Sequence, residues 1–400
     1  MKILVACRLP DAALEDLKSL GAPVIYEPEL AGDALADQLG DVAILVVGRQ
    51  RVSREIIAAG KQLQLIVRDG TGTLNIALED ASAEGIFVSH CEFREAAAIA
   101  EMTIGLLVAI DRQLLDQTSQ SAGDALARRA DDIHALGLVG RTLGILNYGP
   151  VGREVAARAR GFGMNVLACV GAQRDPALHE WGIEFVQSPR ELARRSDAVS
   201  VYVPLEDATE RFINAEFVSN MKARSLLVHI GHPNGIEESA LYEAVKEGRV
   251  RAALDLYSSE APGEVVRHRS KLLGLPGAVV THRLADATER AREVIAAEVA
   301  RIVRQFLVAG EVLNCVNLAE RSDATWQLLL RLKDVVGVMA SVMDEIRADG
   351  VNAQEITSRV FQGGRAAWVS IALSERPSNE ALTALRALRG VLHVDLRAML

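Results

Sequence analysis

Two glycines three residues apart, Gly149 and Gly152, stand between a short apolar run and a helical pattern. A strand, a glycine-containing turn and a helix in this order leave backbone N–H groups at the helix N-terminus facing outward, where they can receive a phosphate. The segment Leu138–Val170 therefore predicts a dinucleotide-binding turn. The residues of that turn are Asn147, Tyr148, Gly149, Pro150, Val151 and Gly152.

Histidines are the other residues whose type suggests chemistry, because an imidazole exchanges a proton near neutral pH. His229, His232 and His282 lie in or just after predicted strands. A lone histidine is more often a hydrogen-bonded structural residue than a catalyst, so residue type alone assigns no role to any of the three.

Other site chemistries lack their sequence signatures. The four cysteines are too widely spaced for a zinc site or a redox dithiol, which favours buried free thiols. The sequence has no Gly-x-Ser-x-Gly elbow and no Walker motif, and no metal site is expected. The cysteines are Cys7, Cys91, Cys169 and Cys315.

The composition bounds the class of protein. The chain has 400 residues, of which 50% are hydrophobic and 24% charged, enough for two or three packed domains. A formal net charge of -9 argues against nucleic acid or an anionic membrane as partner. The start of the chain lacks the features of a secretory signal, so a cytoplasmic protein is expected. The apolar stretch Glu95–Ile110 is too short for a bilayer and predicts a buried helix at a subunit contact.

Short β-branched runs alternate with helical patterns along most of the chain, which is typical of parallel βαβ units. Ser53 and Gly60 are expected to cap the ends of one such helix, Ser53–Ala59. The pattern predicts an α/β fold with doubly wound parallel sheets. The predicted strands are Lys2–Ala6, Val42–Val47, Leu63–Val67 and Ile86–Ser89, then TLGILN, MNVLACV, DAVSVYVP, SLLVHI, RAALDL and AVVTH.

The pattern changes near the C-terminus. A long helical pattern from about Ala287 ends at Gly310, and LNCVNLAERSDA after it predicts a linker. After Thr325 the order becomes βαββαβ, which predicts a separate α+β domain with one helical face.

Several segments beyond the glycine turn resemble the D-2-hydroxyacid dehydrogenase family, and within it the phosphoglycerate dehydrogenases. The resemblance implies a Rossmann domain (96–286) inserted in a flavodoxin-like substrate domain (1–95 and 287–318). It also implies interconversion of a 2-hydroxy acid and a 2-oxo acid with NAD or NADP. The segments are RDGTGTLNIA, AEMTIGLLVAIDR, SDAVSVYVPLEDATERFIN, GIEESAL, AALDLYSSEAP and LNCVN.

The C-terminal segment KDVVGVMASVMDEI resembles the ACT domain family, which implies an ACT-like domain over 325–400. That resemblance implies a small amino-acid effector bound at Asp334, Gly337 and Val338. An ACT domain after such a dehydrogenase favours serine-type biosynthesis, and the family implies a homodimer or tetramer.

The family also implies site residues for cofactor and substrate. Besides the turn, the family positions for the cofactor are Val170, Arg174, Pro204 and Asp255. Those for the substrate are Arg68, Gly70, Gly72 and Asn75.

Two positions of the cofactor site depart from the family pattern. Asn147 replaces the first glycine of the turn but tolerates left-handed dihedrals better than most residues. Val170 replaces the acid that accepts from the ribose hydroxyls, so the choice between NAD and NADP stays open. Arg174 could meet a 2′-phosphate or could be a solvated loop arginine.

The catalytic positions depart further. His232 aligns with the family's substrate-binding arginine, Arg283 aligns with its catalytic histidine, and Glu260 matches its supporting acid. In one interpretation His232 and Arg283 have exchanged roles. In another the site has decayed and the chain is an amino-acid-binding regulatory protein. In a third the alignment is displaced by one residue and His282 is the acid–base group, which would need a local bulge.

Overall fold

The computed structural model describes residues 1–116, 135–169, 182–202, 211–256, 270–319 and 322–399. The chain divides into two units, Met1–Asn317 and Leu318–Leu400. Within the described ranges, no helix is both long enough and apolar enough to cross a bilayer.

The first sheet of the first unit has five parallel strands in the order β2-β1-β3-β4-β5, which is the flavodoxin-like order. All six residues of β3 are buried, because helices cover both faces of the sheet. The strands are β1 (Lys2–Val5), β2 (Val24–Tyr26), β3 (Val42–Val47), β4 (Leu65–Arg68) and β5 (Phe87–His90). Its helices are Asp11–Ser19, Gly32–Asp37, Arg54–Ala59 and Leu78–Ala83, with Glu289–Ala309 packed in the same core as β1 and β4.

The second sheet has seven parallel strands in the order β12-β11-β10-β9-β6-β7-β8. The order reverses between β6 and β9, so the sheet has its topological switch point there. The strands are β6 (Thr142–Leu146), β7 (Asn165–Cys169), β8 (Glu184–Val186), β9 (Ala198–Val201), β10 (Ser225–Gly231), β11 (Val250–Leu256) and β12 (Ala278–His282). The helices are Ala96–Arg112, Pro150–Gly161, Pro189–Arg195, Ala215–Asn220 and Glu238–Lys246, with a 3-10 turn at Pro233–Gly235. The predicted doubly wound α/β fold is confirmed; the boundaries of the inserted domain stay a prediction.

The second unit is a four-stranded antiparallel sheet with two helices, in the predicted βαββαβ order. Leucines and valines of alternate strand positions pack against both helices and form its core. The elements are β13 (Trp326–Lys333), helix Val338–Ala348, β14 (Ala353–Val360), β15 (Ala366–Leu373), helix Asn379–Ala387 and β16 (Val391–Ala398).

Two local predictions are corrected by the structure. The Ser53 side chain makes no cap hydrogen bond to the helix Arg54–Ala59. The predicted linker does not begin after Gly310, because the N–H of Val316 donates to the Val88 carbonyl (2.9 Å) and Cys315 forms a bridge to Ser89. The segment LNCVN thus belongs to the first unit.

The helix predicted over Glu95–Ile110 runs from Ala96 to Arg112 and is buried along much of its length. Asp111, just beyond the predicted end, is buried and pairs with Arg141 at 3.0 Å. Cys7, Cys91 and Cys169 are buried thiols as predicted, and Cys315 is half-buried.

Glu298, on the helix Glu289–Ala309, links the segment that leaves this helix to the segment before the helix Ala96–Arg112. Its carboxylate accepts hydrogen bonds from Arg301 (2.6 and 2.8 Å) and Asn314 (2.8 Å), and Arg94 lies 3.1 Å away. Although the side chain is only 5% exposed, these donors, Arg301 first, lower the pKa of Glu298 to about 2.

Glu298 should make the protein acid-labile in a defined range. Its stabilising effect is fully present above the unfolded-state pKa of ~4.3 and is lost as the pH falls toward the native value of about 2. Glu298→Gln is expected to lower the free energy of unfolding at pH 7 by on the order of 3 kcal/mol and to flatten its decline between about pH 4.5 and 2. Urea unfolding at several pH values measures both. The control is Glu293→Gln, which changes an exposed residue paired with Arg290. If the free energy of unfolding of both variants follows the wild-type dependence on pH, the interpretation is wrong.

Candidate active site

The turn between β6 and the helix Pro150–Gly161 lies at the switch point of the seven-stranded sheet. Asn147 has a φ of 65°, in the left-handed region that asparagine tolerates. Its amide Nδ2 donates to the carbonyl of Tyr202 (3.1 Å), which follows β9. The asparagine therefore ties together the two strand ends between which a dinucleotide binds in this fold class.

The two glycines of the turn do different things. A Cβ built on Gly149 would meet no atom within 4 Å, so the space in front of the helix N-terminus is open. A Cβ on Gly152 would lie 3.1 Å from Ile145 Cγ2 and 3.4 Å from the Asn147 carbonyl oxygen, so this glycine lets the helix approach β6. The geometry fits a pyrophosphate at the helix N-terminus.

Side chains of the turn contribute to the core. Tyr148 is 7% exposed and packs edge-on against Phe185, with ring centroids 5.8 Å apart, and Val151 is also buried. A cofactor would meet the backbone of these residues. The other family positions Val170, Arg174, Pro204 and Glu260 lie outside the described residues.

Asp255, predicted as a cofactor-binding residue, is hydrogen-bonded to β12 and to the chain that follows it. Its carboxylate accepts hydrogen bonds from the Thr281 hydroxyl (2.7 Å) and from the backbone N–H groups of Leu284 (3.0 Å) and Ala285 (2.9 Å). The residue is 1% exposed. Asp255 thus fixes the end of β12 and the loop that carries Arg283.

The predicted substrate loop follows β4. Gly70 and Gly72 have φ values of 114° and 81°, and a Cβ on Gly70 would lie 2.1 Å from Arg68 Nη1, so a side chain there would displace the guanidinium. The N–H of Gly72 donates to His90 Nδ1 (3.1 Å). Arg68 Nε is buried and has no hydrogen-bond partner in the described part of the chain.

Asn75 braces this loop. Its Nδ2 donates to the carbonyls of Gly48 (3.2 Å) and Gln50 (2.8 Å), which uses both amide hydrogens. Only Oδ1 remains to accept a hydrogen bond from a substrate.

A cluster of charged side chains joins the loop after β3 to the loop after β12, close to Arg68. Asp286 Oδ2 lies 3.5 Å from Nη2 of both Arg49 and Arg283. Burial, together with the charge of Arg283, lowers the pKa of Arg68. We call Arg49, Arg68, Arg283 and Asp286 the arginine cluster.

No local sequence pattern marks Arg49 or Asp286, which lie 237 residues apart in the chain. One signal could have found Arg49. Arg49 lies two residues after the end of β3 and Arg68 is the last residue of the neighbouring β4, and carboxyl ends of adjacent parallel strands meet at one edge of a sheet.

Two acids lie beside the arginine cluster. Burial raises the pKa of Asp69 to about 6, against the lowering effect of Arg68 and Arg49. Burial also raises the pKa of Glu95. As the pH falls through about 6, Asp69 becomes neutral and compensates the guanidinium charges less.

His232 lies at the carboxyl edge of the second sheet, in the turn that follows β10. Its Nδ1 accepts a hydrogen bond from the N–H of Asn234 (3.2 Å), which places the proton of a neutral ring on Nε2. A cavity of about 370 Å³ borders this turn at Pro233 and Asn234 and reaches Leu254 and Leu256 of β11.

The two residues after Thr281 differ in environment. His282 is exposed at the end of β12, whereas the Arg283 side chain is 17% exposed and has a left-handed backbone with a φ of 53°. The structure therefore brings Arg283, and not His282, to the arginine cluster.

Comparison with known proteins is consistent with this geometry. Residues 104–285 match the family model described as D-isomer specific 2-hydroxyacid dehydrogenase, NAD binding domain. The chain is 34% identical over 278 residues to the hydroxypyruvate reductase of Thermotoga maritima, covering 68% of this chain and 88% of that protein. It is 30% identical over 351 residues to the D-3-phosphoglycerate dehydrogenase of Methanocaldococcus jannaschii, which covers 86% of this chain. The chain spans only 65% of the length of that relative.

A solved structure of similar fold is a glyoxylate reductase from Paecilomyes thermophila. It has a TM-score of 0.68 and 27% sequence identity, and the match covers 79% of this chain and 98% of that one.

Proposed function

This chain belongs to the D-2-hydroxyacid dehydrogenase family, and on that basis we propose that it interconverts a 2-hydroxy acid and a 2-oxo acid with a nicotinamide cofactor. The observation that carries the proposal is the turn Asn147–Gly152 at the switch point, open in front of Gly149 and closely packed behind Gly152. When bound, the cofactor supplies or accepts the hydride.

In this proposal His232 and Arg283 have exchanged the roles that their positions have in the family. His232, protonated on both ring nitrogens, gives the proton on Nε2 to the oxygen of the reduced carbon and is left as neutral imidazole; the Asn234 N–H, which donates to Nδ1 of the neutral ring, must turn away in the protonated form. Arg283 holds the substrate carboxylate, because a guanidinium offers two parallel N–H donors and does not release its proton near neutral pH. Arg68, with its buried Nε, adds a second cation on the opposite loop.

Cofactor binding is tested by titrating the purified chain with NADH and NADPH. Gly149→Ala is expected to lower the affinity at least about tenfold, because its Cβ enters the open space at the helix N-terminus. The melting temperature should not change, since that Cβ meets no protein atom within 4 Å. Equal affinity of the variant and the parent would contradict phosphate binding at this turn.

The cofactor preference is expected to be weak. Val170 neither accepts from a ribose hydroxyl nor repels a phosphate, so the two affinities should differ by no more than about tenfold, or ~1.4 kcal/mol. Calorimetry measures both; a strong preference for NADH would mean that another acceptor replaces the missing acid.

The alternative is a catalytically inactive, amino-acid-binding regulatory protein. It would bind neither cofactor and would turn over no 2-oxo acid. Substrate assays at saturating NADH separate the two proposals.

We further propose that the second unit is an ACT-like domain that binds a small amino acid beside Asp334. Gly337 has a φ of 93° and opens the helix Val338–Ala348, and the turn is exposed. The N–H of Val338 donates to the Val335 carbonyl (3.3 Å), which leaves the N–H groups that follow it to receive a carboxylate. A thermal-shift screen of the twenty amino acids should find a stabilising ligand; no shift for any of them would leave a pairing role alone.

We propose that the chain forms a homodimer or tetramer. The helix Ala96–Arg112 is largely apolar, and Met102 and Val108 on it are only partly buried. Light scattering at micromolar concentration should give a mass above 43.1 kDa, and a monomer mass would overturn the proposal.

We place the protein in the cytoplasm. All four of its cysteines are free thiols, which suits a reducing compartment. Cell fractionation tests this placement, and recovery from an oxidising compartment would contradict it.

A further inference from the structure

A second histidine, His229, lies beneath the turn that carries His232. It is 2% exposed, near the end of β10. Its Nε2 is 3.2 Å from the carbonyl oxygen of His232, which also accepts the N–H of Gly235 (3.0 Å). The His229 ring is thus one of two donors that hold this carbonyl.

The chemistry of this contact fixes the ring. A carbonyl oxygen only accepts, so the proton of the neutral His229 imidazole must be on Nε2. Burial lowers the pKa of His229 to about 4, so the ring is neutral at physiological pH. Its Nδ1 is buried and finds no hydrogen-bond partner in the described ranges.

Gly231 makes room for the ring. A Cβ on Gly231 would lie 2.9 Å from Cε1 and 3.0 Å from Nε2 of His229. Any side chain at position 231 would therefore displace the imidazole. A Cβ on Gly235 would lie 3.5 Å from Cε1, at ordinary contact distance. Neither glycine has a positive φ, so alanine at either position acts through this contact and not through backbone strain.

We propose that His229 is a positioning residue for the reaction: its Nε2–H holds the His232 carbonyl, and through the turn it sets the direction of the His232 imidazole. This inference rests on the proposed function, in which His232 transfers the proton. The contacts explain the residue type. The Nδ1 of His229 is a buried acceptor that finds no partner in the described ranges, and such an atom lowers stability. If packing alone mattered, an apolar residue would be preferred at position 229.

The variants separate positioning from packing. His229→Leu is expected to lower kcat at least tenfold while the melting temperature stays the same or rises. His229→Gln keeps an N–H donor of similar reach and should retain kcat within about threefold. Gly231→Ala should reproduce the loss seen in His229→Leu, and the matched control Gly235→Ala should remain within about twofold. A packing role predicts instead that kcat follows the melting temperature in all four.

A spectroscopic readout makes the test independent of turnover. In the parent, imidazole ¹⁵N NMR should show His229 neutral with its proton on Nε2 from pH 5 to 8, and His232 with an accepting Nδ1. In His229→Leu the His232 signals and its titration should change, and the pH profile of kcat/KM should move with them. Unchanged His232 signals in His229→Leu and Gly231→Ala would overturn the proposal. If the parent has no turnover but the signals change, the positioning contact stands and the proposed function fails.

Discussion

His232→Ala is expected to lower kcat by two to four orders of magnitude, the usual contribution of general acid–base catalysis. Hydride transfer to a keto carbon leaves an alkoxide, and an imidazolium, whose ordinary pKa is ~6.5, can protonate it and be regenerated near neutral pH. The neutral ring accepts the Asn234 N–H at Nδ1, so this bond must open when the ring takes up its second proton. Steady-state kinetics with NADH and a panel of 2-oxo acids measures the effect.

Arg283→Lys is the companion variant, because it should change a different constant. A compact ammonium replaces the planar fork, so KM for the 2-oxo acid is expected to rise while kcat falls less than in His232→Ala. His282→Ala, at an exposed position, serves as the control. If His282→Ala is inactive while His232→Ala turns over normally, the family alignment is displaced by one residue and the exchange of roles is wrong. Absence of turnover in the parent would favour the inactive regulatory protein.

Asp255→Ala should have the second large effect, on stability and on substrate binding together. The substitution removes a buried carboxylate that accepts three hydrogen bonds. The Thr281 hydroxyl and the backbone N–H groups of Leu284 and Ala285 lose this acceptor. Hydrogen bonds to a charged group are worth about 1.5–3 kcal/mol each, so we expect a loss of roughly 3–5 kcal/mol in the free energy of unfolding. Because the loop of Arg283 is released, KM for the 2-oxo acid should also rise.

Thr281→Val provides the graded control, since it removes one donor and keeps the two backbone bonds. We expect it to lower the free energy of unfolding by about 1 kcal/mol and to leave KM near that of the parent. Urea unfolding and calorimetric titration of NADH complete the comparison. Should Asp255→Ala weaken NADH binding without a change in stability, Asp255 would be a cofactor residue as the family position implies.

The fold could be predicted because each element carries its own signal. The run VAILVV of β3 is apolar at every position, as a strand covered on both faces must be, and the βαββαβ order after Thr325 follows from alternating periods. The left-handed Asn147 could also be anticipated, because few residue types accept that conformation.

The site could be predicted only in part, because several contacts that shape it are tertiary. Asp255 meets donors 26–30 residues further along the chain, and no local pattern reveals that three of them will bond its carboxylate. Arg49 and Asp286 become neighbours only when two chain segments far apart in sequence meet. Ser53 shows the same limit on a small scale, since it precedes a helix without capping it.

The pairing of Val316 with Val88 also determines how many residues link the two units. If the chain came loose at Gly310, about fifteen residues would separate the units, a contour of roughly 50 Å at ~3.5 Å per residue. Because Asn317 is still bonded to the edge of β5, only about nine residues lead to Trp326, a contour of roughly 30 Å. Any tension along the chain enters the first unit at β5, the strand whose last residue, His90, receives the N–H of Gly72 in the substrate loop.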